Sequence, residues 1–106
     1  MDRTDEGCFE AHWPRAARRA VARPLARRLA TLEGKRVAFL WDYLFRGDAM
    51  FDAIERRLRE TYAGMSFVGW REVGNIHGSD ERERVAALPA RLQAAGVDAV
   101  ITAVAA

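Results

Sequence analysis

The sequence predicts an α/β protein: a Rossmann-like β-α-β-α-β half with three parallel strands, preceded by a basic helical N-terminal extension. Three short apolar runs, at 37–41, 65–70 and 98–106, alternate with two segments of helical periodicity. The first run is continuously apolar, as expected for a parallel strand that is covered on both faces. It is also the most uniformly apolar run, which favours the strand order 2-1-3 over 3-2-1.

Length and composition indicate one modest globular domain. Half of the 106 residues are apolar and 30% are charged, and no stretch approaches the roughly 20 apolar residues of a membrane-spanning helix. The N-terminus lacks the apolar core of a secretory signal, so we expect a cytoplasmic protein with no membrane partner. The single cysteine, Cys8, can form neither a disulfide framework nor a cysteine-based zinc site. No metal site and no cofactor are predicted.

The first third of the chain divides into two predicted segments. Residues 1–12 are polar and without period, and they are predicted to be a disordered leader. Residues 13–33 are predicted to form a basic helical extension, which Pro24 breaks into two pieces. On a helical wheel this extension separates an apolar side from a basic side. The two sides carry Val21, Leu25, Leu29 and Leu32, and Arg15, Arg19, Arg23 and Arg27, respectively.

Residues 34–106 are predicted to form the α/β domain, whose first strand covers 37–41. Asp48 is a candidate N-cap for the first helix, whose apolar positions recur at helical spacing until Gly64. The run "MSFVGW" predicts the second strand, and the loop "REVGNIHGSD" follows it. Ser79 or Asp80 is expected to cap the second helix, with Pro89 kinking it and Gly96 ending it. The buried side of that helix is predicted to carry Val85, Leu88 and Leu92.

Polar residues follow the first two strands, and parallel strands bring such loops to the same edge of a sheet. In the first loop, Asp42 and Arg46 are candidate binding residues, with Arg46 available to an anionic ligand or to Asp42 itself. The alternative is an Asp42–Arg46 ion pair that only braces the loop. In the second loop, Asn75 and Ser79 are candidate binding residues and His77 is the candidate acid, base or thiolate partner. The alternative for His77 is a solvated loop histidine without a catalytic role.

The basic extension has two interpretations. Residues 13–32 hold six arginines and no acid, whereas residues 35–106 balance ten basic against ten acidic residues. The arginines could attract phosphates or acidic lipids, or they could be solvated while the leucines pack on the domain. The second interpretation is favoured, since no aromatic residue lies between Pro14 and Leu32 to stack on bases. Nucleic acid is therefore not an expected partner.

The stretches "WDYLFRGD" and "GNIHG", with the apolar segments around them, resemble the UGSC-like family of bacterial proteins and selenoproteins over roughly residues 22 to 106. The resemblance implies a Rossmann-like domain whose third strand runs into a selenocysteine- or cysteine-Gly-Ser-Cys motif, which would be a redox centre. The chain ends at Ala106, where this motif would begin. The resemblance thus implies the N-terminal part of a thiol or selenol redox protein of the UGSC-like family.

Selenocysteine is encoded by UGA, so the end at Ala106 is interpreted as truncation at such a codon, with the 106-residue chain inactive. A frameshift, a split gene and a genuinely short paralogue stay open. The alternative function is a non-catalytic α/β binding or subunit module that completes its sheet with another chain. Its exposed sheet would then form a homo- or hetero-oligomer, and the small-molecule substrate is not specified by the sequence.

We predict that the codon after Ala106 is UGA and that the same frame continues with Gly-Ser-Cys. The nucleotide sequence downstream of the coding region tests this. A UAA or UAG codon, or a frame that does not encode Gly-Ser-Cys, would exclude recoding.

Overall fold

The computed structural model describes residues 10–17 and 19–104. Three strands and three helices follow one another along the chain. They are β1 (Arg36–Trp41), α1 (Gly47–Thr61), β2 (Ser66–Val68), α2 (Trp70–Val73), α3 (Glu81–Ala94) and β3 (Ala99–Ala103). The predicted alternation of strands and helices is therefore confirmed, with α2 as an added helix.

The three strands form one parallel sheet in the order β2-β1-β3. Val37 of β1 lies opposite Phe67 on one side and Ala99 on the other. Val37, Ala38 and Phe39 are buried, because β1 has a strand on each edge and covered faces. The predicted order 2-1-3 is thus confirmed.

The main core lies between α1 and one face of the sheet. Phe39, Trp41 and Phe51 form its buried centre, and Phe67 and Ile101 from the outer strands pack against it. The rings of Phe39 and Phe51 are 4.7 Å apart. Successive side chains of a strand point to opposite faces, so the residues at alternate positions of β1 belong to this core. Helix α1 lies across all three strands, because the core residues that pack with Phe51 come from β1, β2 and β3.

One arginine joins the amino ends of the three strands. The Arg36 Nη1 group donates a hydrogen bond to the carbonyl of Ala95 at 2.7 Å, and Nε donates to Oγ of Ser66 at 3.2 Å. The Arg36 backbone N–H donates to Oδ2 of Asp98 at 2.9 Å, and the Asp98 N–H donates back to the Arg36 carbonyl at 2.8 Å. These bonds fix the positions along β1 at which β2 and β3 begin.

Helix α2 lies in the segment that the sequence predicts as the end of a strand and a loop. Strand β2 stops at Val68, and the N–H groups of Glu72 and Val73 donate to the Gly69 carbonyl to form the first helical turn. Val73 is buried and α2 lies against β1. Tertiary packing of one short turn therefore overrides the strand propensity of the aromatic segment.

Helix α3 is less buried than its sequence predicts. Leu88 and Leu92 are half-buried near Val68 and Val73, but Val85 is 46% exposed and no residue of α3 is fully buried. The helix runs from Glu81 to Ala94 with Pro89 inside it, and Asp80 at its N-cap position makes no side-chain capping bond. The predicted cap at Asp48 is also not formed, since α1 begins at Gly47 and Arg46 occupies the N-cap position.

The basic extension has no helix or strand in its described part, residues 13–17 and 19–33, in contrast to the predicted helical pieces. Leu25 is 97% exposed and Val21 is 81% exposed. A short helix is marginal in water unless its apolar side packs on something, and Pro24 removes one internal hydrogen bond. Val21 and Leu25 are thus not packed on the domain, whereas Leu32 at the end of the extension is half-buried. The predicted disordered leader, 1–12, lies outside the described residues as far as residue 9.

We predict that Gly47→Ala lowers the free energy of unfolding by about 1–3 kcal/mol, the usual cost of overpacking. An added Cβ would meet the indole of Trp41, within 2.7 Å of Cδ1 and Cε2 and closer still to Nε1. The substitution would otherwise stabilise a helix, so a loss reports the clash. Chemical denaturation measures the change.

The control is Gly69→Ala, where no heavy atom lies within 4 Å of the added Cβ and φ is −67°. We expect a smaller change in the free energy of unfolding there. An unchanged or more stable Gly47→Ala variant would contradict the prediction.

Candidate functional site

A crevice opens at the carboxyl ends of β1 and β3. Its cavity measures about 190 Å³ and reaches the start of α3. Helix α1 packs on one face of the sheet, and Leu88 and Leu92 of α3 face the other. The chain places β2 on one side of β1 and β3 on the other, so the strand order reverses beside β1. Open α/β sheets bind ligands at such a reversal. The residues that line the cavity are Leu40, Asp42, Ile76, His77, Glu81, Thr102, Ala103 and Val104.

Asp42 lies in this crevice, as its position after the first strand predicts. The carboxylate oxygen Oδ1 accepts a hydrogen bond from the Leu44 backbone N–H at 3.2 Å. This short-range bond is typical of aspartate in turns, and it holds the carboxylate at the end of β1. Asp42 therefore presents a fixed acceptor to the cavity.

His77 lines the same cavity from the opposite loop. Its backbone N–H donates to Oδ1 of Asn75 at 2.9 Å, and its imidazole Nδ1 lies 3.8 Å from Oε2 of Glu81. The second distance is too long for a hydrogen bond, so Glu81 is a neighbour of the imidazole without a direct bond to it. The structure thus adds Glu81, which sequence analysis missed. The sequence feature that could have identified Glu81 is its spacing, since it follows His77 by four residues at the start of α3.

Arg84 braces the loop that carries His77. Its Nε donates to Oδ2 of Asp80 at 2.6 Å and its Nη1 donates to the Asn75 carbonyl at 3.1 Å. The hydrogen bond from Arg84 lowers the pKa of Asp80, and that of Arg84 is raised in return. Gly74 has a φ of +83°, and an added Cβ there would lie 3.3 Å from Nη1. The side-chain amide of Asn75 acts within the same loop, because its Oδ1 accepts the hydrogen bond from the His77 backbone N–H and so orients that backbone.

Arg46 and Ser79 do not line the cavity. Nε of Arg46 lies 3.5 Å from Oδ1 of Asp48, and the Arg46 side chain is 82% exposed. Asp42, the predicted partner, accepts a hydrogen bond from the Leu44 backbone N–H. Ser79 is exposed in the turn before α3. Of the five candidate residues, the structure places Asp42 and His77 in the cavity and Asn75 beneath His77.

An aromatic cluster supports the loop after β1. Trp41 Nε1 donates to the Leu44 carbonyl at 2.9 Å, and the Tyr43 ring stacks on Trp41 at 4.9 Å. Trp70 meets both rings edge-on, at 4.9 and 5.3 Å. Tyr43 and Phe45 have φ values of +66° and +58°, a left-handed conformation that costs roughly 1–2 kcal/mol per residue. The ring contacts of Tyr43 offset this cost at that residue.

The described residues contain no group of three or more histidine, cysteine, aspartate or glutamate side chains suited to a metal ion. Within the same part of the chain, no helix has the length and apolar content needed to cross a membrane.

The parallel three-stranded sheet and its helices define a Rossmann-like α/β protein. The model of the UGSC family matches residues 10–106, and this chain belongs to that family. The resemblance seen in the sequence is therefore confirmed at the level of the family. Comparisons with curated proteins and with solved structures give no match.

We predict that Arg84→Met raises the pKa of Asp80 towards its ordinary value. The lowered pKa of folded Asp80 stabilises the fold above the ordinary pKa, and this stabilisation is lost as pH falls through the lowered value. In Arg84→Met, the free energy of unfolding should therefore lose the contribution from Asp80 to its decrease below about pH 4. Titration of the Asp80 carboxyl carbon by NMR measures the shift.

Arg82→Met is the control, because it removes the same charge one half-turn earlier on α3. An equal Asp80 pKa in the wild type and Arg84→Met would show that the pair between Arg84 and Asp80 is not formed as described.

Proposed function

We propose that this chain forms the substrate-facing wall of a thiol or selenol redox site. The observation that supports the proposal is that His77, Glu81 and Asp42 line one cavity together with Thr102, Ala103 and Val104. Thr102 and Ala103 end β3, and Val104 follows them. The family resemblance implies a selenocysteine- or cysteine-Gly-Ser-Cys motif after this strand. A nucleophile at that point would lie at the mouth of the cavity, next to an imidazole.

The proposed chemistry starts from a thiolate or selenolate, since the ionised form is the nucleophile. For a disulfide substrate, the anion attacks one sulfur, the substrate S–S bond breaks, and a mixed disulfide or selenylsulfide forms. The departing thiolate takes a proton from the His77 imidazolium. The second cysteine of the motif then attacks the mixed bond and releases the other substrate thiol. The motif loses two electrons to the substrate, and the two substrate thiols take one proton from His77 and one from the second cysteine.

In this proposal the chain's own residues have separate tasks. His77 stabilises the nucleophilic anion and donates the proton, and Oε2 of Glu81 lies 3.8 Å from its Nδ1. Asp42 accepts a hydrogen bond from substrate, and Leu40 and Ile76 provide the apolar wall. Asn75 acts indirectly, because its Oδ1 holds the backbone of His77. A cavity of about 190 Å³ suits a small molecule or the end of a larger one.

The alternative function, a non-catalytic module that completes its sheet with another chain, also has support. Strand β3 pairs with β1 alone among the described residues, and the apolar side chains of Val100 and Val104 beside its free edge are exposed. Such an edge accepts a further strand.

The redox proposal is tested by extending the chain after Ala106 with Cys-Gly-Ser-Cys, with Cys8 replaced by serine. The pH dependence of alkylation by iodoacetamide gives the pKa of the added thiol. We predict a pKa below the ordinary value of about 8.5, and an increase of about one unit in His77→Ala. The effect follows from losing the imidazolium beside the thiolate.

His12→Ala is the matched control, since it removes the other histidine of the chain. It should leave the alkylation profile unchanged. If His77→Ala also leaves the profile unchanged, His77 does not act on the nucleophile and the proposed site is wrong.

A further inference from the structure

The loop that carries His77, residues 75–80, has little packing of its own. Most of its residues are exposed and none is buried. Two glycines with positive φ lie before it and within it, Gly74 at +83° and Gly78 at +138°. Glycine adopts such conformations without steric cost and has the largest conformational freedom. Because segments with few buried contacts open readily, the position of His77 depends on the hydrogen bonds that hold this loop.

One guanidinium bridges the two ends of this loop. Nη1 of Arg84 donates to the carbonyl of Asn75, the first residue of the loop, at 3.1 Å. Nε of the same side chain donates to Oδ2 of Asp80, the last residue of the loop, at 2.6 Å. In the part of the chain that the structure describes, no other side chain from outside the loop donates a hydrogen bond to it. His77 thus lies inside a segment whose two ends are held together by Arg84.

The contact with Asn75 distinguishes Arg84 from an ordinary surface ion pair. An exposed i,i+4 pair such as that of Arg84 with Asp80 contributes little by itself. The second bond, however, reaches a backbone carbonyl nine residues earlier, and the charge on its donor strengthens it. Arginine serves both acceptors from two nitrogens in a rigid plane, whereas lysine has a single nitrogen. The Asn75 side chain continues this connection, because its Oδ1 accepts a hydrogen bond from the His77 N–H.

We propose that Arg84 is the positioning residue of the candidate site: by holding Asn75 and Asp80 together, it keeps the His77 imidazole at the cavity. Arg84 does not line the cavity itself, and its charge is paired with that of Asp80. It therefore acts on the site through His77 and not by direct contact with substrate. Its effect on a nucleophile rests on the proposed redox function, whereas its effect on the loop does not.

The position of His77 is tested in the 106-residue chain by NMR relaxation of the backbone amides. We expect an order parameter near the rigid value of about 0.85 for the His77 amide in the wild type, and below about 0.6 in Arg84→Met. The amides of β1 should stay rigid in both, which separates loosening of the loop from loss of the fold. Arg82→Met is the control, since it removes the same charge from α3 without a bond to the loop. Arg84→Lys keeps the charge but not the two nitrogens, so it should also be flexible and repeats the test should Arg84→Met lose its fold.

The effect on the nucleophile is tested in the chain extended with Cys-Gly-Ser-Cys, with Cys8 replaced by serine. Arg84→Met should raise the pKa of the added thiol towards its ordinary value of about 8.5, by an amount comparable to the change in His77→Ala. In a His77→Ala background, Arg84→Met should have no further effect, because a residue that acts only through another adds nothing once that residue is removed. A direct effect of the Arg84 charge would instead persist in that background.

Four results would overturn the proposal: a flexible His77 amide in the wild type, a rigid one in Arg84→Met, full rescue by Arg84→Lys, or an effect of Arg84→Met on the thiol that persists without His77. If the thiol pKa responds to neither His77 nor Arg84 while the His77 amide is flexible in Arg84→Met, the redox function is wrong and the positioning role stands. If the thiol pKa responds to His77 but not to Arg84, the positioning role is wrong and the redox function stands.

Discussion

Burial of β1 on both faces and both edges is the constraint on which the rest of the structure depends. Phe39 contacts the rings of Phe51 and Phe67, which joins the central strand to α1 and to β2. The hydrogen bonds of Arg36 then align the amino ends of the outer strands. Because β1 is central, the strand order reverses beside it, and the crevice forms at its carboxyl end.

The two loops of the crevice are held by different kinds of interaction. The loop after β1 depends on aromatic contacts with Trp41 and Trp70, which offset the left-handed conformation of Tyr43. The loop before α3 depends on Arg84 and on the turn at Asn75. Asp42 and His77 therefore reach the same cavity through independent supports. Damage to one loop should leave the other side chain near its position.

Strand β3 connects the crevice with the free edge of the sheet. Its residues Thr102 and Ala103 line both the polar cavity and the apolar groove. A strand added at this edge would restrict the movement of the cavity wall, because edge strands with a single neighbour open more readily than central ones. The alternative function and the proposed redox site thus share one structural element, although they use different groups of it.

Sequence alone determined the α/β class and the order 2-1-3, because apolar runs are local features of the chain. It also determined the place of Asp42 and His77, because a parallel sheet brings the ends of its strands to one edge. It did not reveal α2, since the burial of Val73 and the ring contacts of Trp70 arise only when β1 is present. Arg46 was assigned to the site from its position in the chain, but loop geometry turned it to Asp48. The extension has a helical pattern, yet Val21 and Leu25 of its apolar side are 81% and 97% exposed in the described structure. Periodicity specifies which side of a segment is apolar, whereas only tertiary structure decides whether a complementary surface is there to bury it.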